Sequence, residues 1–178
     1  MAFPVRNEAL HGTKHRLAVE RAHTEGLLQR FHRIKQLPFR LQIHWETEAP
    51  DDALLGTVSL AARQQPFTLL LRSLGGRLMI RCVSPIGRLD MYDRDHVGSD
   101  TWPRAIQIAA IYDPKFETYN LATEREILLG SEAHDLPRIE TLIEDVVQSA
   151  DDLEARLLGS DQALSIFRED LSRESQDV

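Results

Sequence analysis

Two adjacent glycines between two apolar runs constrain this chain more than any other feature. Phe67 to Leu74 and Arg77 to Val83 flank Gly75-Gly76, and paired glycines take the positive φ angles that a two-residue hairpin turn requires. An antiparallel hairpin is expected here, and with it a sheet. A second constraint lies further on. Ile139, Leu142, Ile143, Val146, Ala150, Leu153 and Leu157 recur at three- and four-residue steps, the spacing of one helix face. Asp135 is expected to cap this helix, with Pro137 in its first turn and Gly159 closing it. At 1.5 Å per residue it would be roughly 35 Å long. A chain of 178 residues supports one core, so sheet and helix belong together.

The remaining segments fill in around these two. Thr13 can cap a short helix reaching His23. Thr24 opens another, with Leu27, Leu28, Phe31, Ile34 and Leu37 at helical spacing until Pro38 stops it. Phe39, Leu41, Ile43 and Trp45 then alternate with Arg40, Gln42, His44 and Glu46, the pattern of a half-buried strand. A less regular strand follows from Leu55 to Ala62, with Pro66 marking its end. Ser84 to Asp100 is polar and broken by Pro85, Gly87 and Gly98, which suggests a loop. Asp100 can cap a helix with Pro103 in its first turn, carrying Trp102, Ile106, Ala109 and Ala110, although Ile106-Gln107-Ile108 also suits a strand. Phe116 to Leu121 and Glu126 to Ser131 suggest a hairpin turning at residues 122–125. Beyond Gly159, Leu164, Phe167 and Leu171 mark a final helix. The order predicts an α+β fold, an antiparallel sheet packed against helices.

Net charge is −7, which argues against wholesale binding to phosphate backbones. Its distribution is lopsided. Residues 1–40 hold eight Lys or Arg against three acids, whereas from Asp113 onward six cations face 17 acids. Opposed blocks of this kind attract one another across paired subunits, or recruit a charged partner, or simply solvate the surface. No apolar run approaches the ~20 residues of a membrane span. Cys82 is the only cysteine, so no disulfide forms within the chain, and its apolar surroundings predict a buried, inert thiol. The opening Met-Ala-Phe-Pro-Val-Arg-Asn-Glu lacks a signal peptide's apolar core, so a cytoplasmic location is expected.

Candidate chemistry is sparse. Asp93, Asp95, His96 and Asp100 form the richest ligand cluster, but the twelfth place of the calcium-loop pattern begun at Asp93 is Arg104 where a bidentate glutamate is needed. His11 and His15 stand four apart with no third ligand placed by sequence. His23, His32 and His44 fall on polar faces. Glu140, Glu144, Asp145, Asp151, Asp152 and Glu154 suit paired carboxylates of a hydrolase, although exposed helix charge accounts for them as well. No nucleophile elbow, phosphate-binding loop or Cys-x-x-Cys pair is present. No cofactor is expected.

With the elements in order, Ile106 to Tyr112, Phe116 to Leu121, Glu126 to Leu129 and the helix through Ile143-Glu144-Asp145-Val146-Val147 resemble the second half of YbjN-like proteins. The Gly75-Gly76 hairpin, with Phe67, Leu69, Leu71, Leu78 and Ile80, is similar to their first sheet segment. The likeness spans residues 24–158, leaving 1–23 as a basic extension and 159–178 as a C-terminal helix and tail. It implies a type III secretion chaperone-like fold, a homodimer, protein recognition without catalysis, and a role in stress or regulation.

The expected function is thus a dimeric, non-enzymatic adaptor. Trp102, Ile106, Ala109 and Ala110 are the candidate self-association residues. Lys14, Arg16, Arg21, Arg30 and Arg33 are candidates for contact with a charged partner, and an acidic body suits a basic client such as a nucleic-acid-binding protein. Two alternatives stand beside it: nucleic-acid association through the basic N-terminal segment, which the acidic remainder opposes, and a metal-dependent hydrolase built on residues 93–100.

Overall fold

The computed structural model describes residues 23–61, 63–90, 106–113, 118–130 and 132–157. Helix α1 occupies residues 23–32 and tightens into a 3-10 turn at Arg33–Gln36, ahead of Pro38 as its sequence demands. Six strands follow: β1 (Ile43–Trp45), β2 (Ala53–Leu60), β3 (Arg63–Leu74), β4 (Arg77–Asp90), β5 (Gln107–Asp113) and β6 (Thr118–Leu128). Helix α2 spans Glu132–Leu157. The strands form one antiparallel sheet in the order β1-β2-β3-β4-β6-β5. The fold is α+β.

The glycine hairpin forms as expected. Leu74 pairs with Arg77, and Gly75 and Gly76 adopt φ of 57° and 76°, angles a side chain resists. One face of the sheet carries Leu54, Val58, Phe67, Leu69, Leu78, Ile80 and Cys82 into a common core with Phe31 and Ile34 of α1's end and Ile139, Leu142, Ile143, Val146 and Val147 of α2. The alternation from Phe39 to Trp45 also holds, although only its last three residues join the ladder. Trp45 stacks edge-on against Phe67 at 5.4 Å between centroids. It passes over Gly56, which pairs with both.

Several sequence expectations require correction. The segment expected as a helix through Ile106, Ala109 and Ala110 is strand β5, paired over seven residues with β6. Its apolar spacing satisfied both periods, and the neighbouring strand decided between them. Pro66 lies within β3 rather than after β2. The β3–β4 ladder runs only from Thr68 to Leu74, so no partner needs the N–H that Pro66 lacks, and the Ser84 hydroxyl donates to its carbonyl at 2.7 Å. Residues 84–90 continue β4 instead of forming a loop, past a bulge between Pro85 and Gly87 that turns Ile86 fully inward. Residues 122–125, expected as a turn, lie mid-strand in β6. Their polar groups have partners: Thr123 Oγ1 donates to the Val146 carbonyl at 2.9 Å, and Arg125 reaches Asp145 at 2.9 Å. Helix α2 begins at Glu132, so Asp135 and Pro137 sit inside it. The expected helices before His23 and after Gly159, and the boundaries of the flanking segments, lie outside the described residues.

Candidate functional site

Two features of the described residues are candidates for a functional surface. The first is a groove where α1, the Gly75-Gly76 turn and the junction of β6 with α2 meet. Leu27 and Leu37 of the first helical segment, Leu78 of β4, Leu129 and Ile139 supply an apolar floor to two adjoining cavities of about 240 and 670 Å³. Around them stand Arg30, Arg33, Arg77 and Arg138, with Asp135 the one acid among the lining residues. Sequence separates these arginines by up to 108 positions, so only the fold collects them.

Asp135 is already committed within the site. Its Oδ1 accepts the Gly130 N–H at 2.8 Å, its Oδ2 pairs with Arg30, and Arg138 stands 3.8 Å away. Arg30 also donates to the Gly130 carbonyl at 2.7 Å. The carboxylate is buried, so this pairing fixes the junction from which α2 springs. His23 closes one end, hydrogen-bonded through Nε2 to the Gly76 carbonyl at 3.0 Å. Among the lining residues arginines outnumber acids four to one, on a chain whose net charge is −7.

The second feature is β5, an edge strand among the described residues. Ala109 and Ala110 are consecutive residues of one strand, so they face opposite sides of the sheet. They do not form the single helical face expected for self-association. Ile106, just before the strand, is buried in the core. Trp102, Lys14, Arg16 and Arg21 lie outside the described residues, as do His11, His15 and the cluster at 93–100. Arg30 and Arg33, proposed from sequence as partner contacts, both line the groove, but Arg30 is tied to Asp135.

The acidic row on α2 differs most from its sequence reading. Glu140, Asp145 and Glu154 are buried and Asp151 is half-buried, leaving only Glu144 and Asp152 exposed. They pair inward: Arg63 with Asp151 at 2.9 Å, Arg125 with Asp145, and Arg40 with Glu140 at 3.3 Å. Glu140 also accepts the backbone N–H groups of Arg40 and Leu41. Burial pushes its carboxyl up, but those two N–H groups and the Arg40 guanidinium outweigh it, holding the group below its ordinary 4.5. Adjacency to the core stripe could not have separated them, since the exposed Glu144 and Asp152 neighbour Ile143 and Leu153 just as the buried acids neighbour core positions. Cys82 is fully buried, and burial drives its thiol far above the range in which a thiolate forms.

Among the described residues no three His, Cys, Asp or Glu side chains converge as a metal centre requires, and no helix is long and apolar enough to cross a membrane. Comparison with protein-family models, with curated proteins and with solved structures finds no match for this chain.

Proposed function

We propose that this protein is a non-enzymatic adaptor that recognises an acidic, partly apolar segment of another protein in the groove beside α1. The observation that carries this reading is the collection of Arg30, Arg33, Arg77 and Arg138 around an apolar floor. Such a surface rewards a ligand that offers carboxylates and aliphatic side chains together. The groove's charge favours an acidic client, where the chain's overall charge had suggested a basic one. The resemblance to YbjN-like proteins supports the same reading, since one sheet face carries the helices and leaves a recognition surface beside them.

Fluorescence anisotropy tests the proposal with two labelled synthetic peptides, one alternating Glu with Leu and one alternating Lys with Leu. The acidic peptide is expected to bind at least about tenfold more tightly, with affinity falling as salt rises. Arg77→Glu and Arg138→Glu are each expected to weaken it further. Equal binding of both peptides, or indifference to both substitutions, would remove the adaptor reading of the groove.

A further inference from the structure

We infer that two copies of this chain join through β5, extending the six-stranded sheet across a two-fold axis. β5 is paired on one side with β6 along all seven residues, and among the described residues no strand covers its other side. A sheet edge exposes a row of backbone donors and acceptors that is a template for another strand, and proteins ordinarily blunt it with charge, proline or brevity. The charge of β5 is confined to its last residue, Asp113, before Pro114; the six residues ahead of it, Gln-Ile-Ala-Ala-Ile-Tyr, hold no Asp, Glu, Lys, Arg or Pro.

That neutrality selects a second copy as the occupant. On a chain with a net charge of −7, most surfaces meeting their own image bring like charges together. A two-fold axis through the middle of β5 does not. For an axis normal to the sheet, facing residues must lie on the same side, so either Ala109 meets Ala109 or Ala110 meets Ala110 in the other copy. Both registers place small side chains at the centre. Ala110 is exposed, and neither methyl group obstructs the approach of a second backbone. Both helical layers would then lie on the same side of one twelve-stranded sheet, with a groove at each flank. Strand addition of this length buries a modest area, so the dimer is expected to dissociate on the order of micromolar.

Light scattering coupled to size exclusion, run on the full chain from roughly 1 to 100 µM, provides the test. The mass is expected to rise from 20.3 kDa toward twice that value. Ala109→Lys, Ala109→Asp, Ala110→Lys and Ala110→Asp follow, each checked for an unchanged circular dichroism spectrum. The two substitutions at whichever position lies on the axis are expected to weaken association at least about tenfold, since like charges then face each other there. Mixing the Lys and Asp variants of one position should restore the dimer, and the position that responds identifies the register. Amide exchange in residues 107–113 of the native chain should also slow as concentration rises, a readout independent of the variants. A native mass of one chain throughout, an association untouched by the four substitutions, or rescue at neither position overturns the inference. Because β5 and the groove share no residue, a monomer that still binds the acidic peptide defeats this inference alone.

Discussion

The two edges of the sheet are built on opposite plans. β1 is three residues long and lies between Pro38 and Pro50. The chain on either side of it is fastened from outside the ladder: before it Glu140 takes the N–H groups of Arg40 and Leu41, and after it Lys35 donates to the Glu46 carbonyl at 2.7 Å. β5 is more than twice as long, and among the described residues nothing beyond β6 meets its backbone. Side chains from α2 and the 3-10 turn hold the segments that flank β1, whereas among the described residues only β6 pairs with β5. An unprotected edge of that length is a hazard unless something pairs with it. The contrast is the ground on which association through β5 is proposed.

Disturbing the β1 side of the sheet should produce the largest effect. Gly56→Ala places a methyl 3.1 Å from both the Phe67 ring and the His44 carbonyl, and the backbone cannot yield as a flexible side chain can. A loss of about 2–3 kcal/mol is expected, measured as a fall in Tm of roughly 5–10 °C. Trp45, which packs over this glycine against Phe67, should report the change in its fluorescence. Glu140→Ala comes next, at about 2 kcal/mol, because two backbone donors lose a charged acceptor. Urea titration distinguishes it from Glu140→Gln, which retains an acceptor oxygen and is expected to lose about half as much.

The same carboxylate predicts a pH dependence. Its folded value lies below the ordinary 4.5, so its contribution is complete above that pH and is lost as pH falls through the folded value. The stability difference between native protein and Glu140→Gln should be constant near neutrality and shrink in acid. A difference that widens below pH 4.5 would refute the linkage. The smallest effect sharpens the comparison at the turn joining β2 to β3. Ala61 holds φ of 49° in a two-residue connection between Leu60 and Arg63. Ala61→Gly is expected to stabilise by about 0.5 kcal/mol, readable as a Tm increase of one or two degrees.

Local chemistry announced some of these elements and concealed others. Gly75-Gly76 and the alternation from Phe39 to Trp45 each carry their own period or turn geometry, so both were legible without the fold. The core stripe of α2 was legible for the same reason. β5 was not, because Ile106, Ala109 and Ala110 fit a helix face while Ile106-Gln107-Ile108 fits a strand, and only pairing with β6 separates the two. Pro66 and the polar residues of β6 misled because their tolerance depends on distant groups: the Ser84 hydroxyl for one, the Val146 carbonyl and Asp145 for the others. The groove was least legible. Arg30, Arg77 and Arg138 share no motif, and their convergence is a property of how the hairpin turn docks against the helix junction.

The buried polar set beneath α2 has a consequence for how the chain finds its alignment. Gln65 donates to Ser84 Oγ at 3.1 Å and to the Pro85 carbonyl at 2.7 Å, Ser84 in turn donates to the Pro66 carbonyl, and Thr123 ties β6 to the helix backbone. Leucine and isoleucine contacts tolerate a strand slipped by two residues, since the same faces remain inward. A slipped strand here would instead leave an amide and two hydroxyls dry and unmatched, at about 1–3 kcal/mol apiece. Those few polar atoms act as a proofreading device, rejecting misaligned ladders that greasy side chains alone would accept.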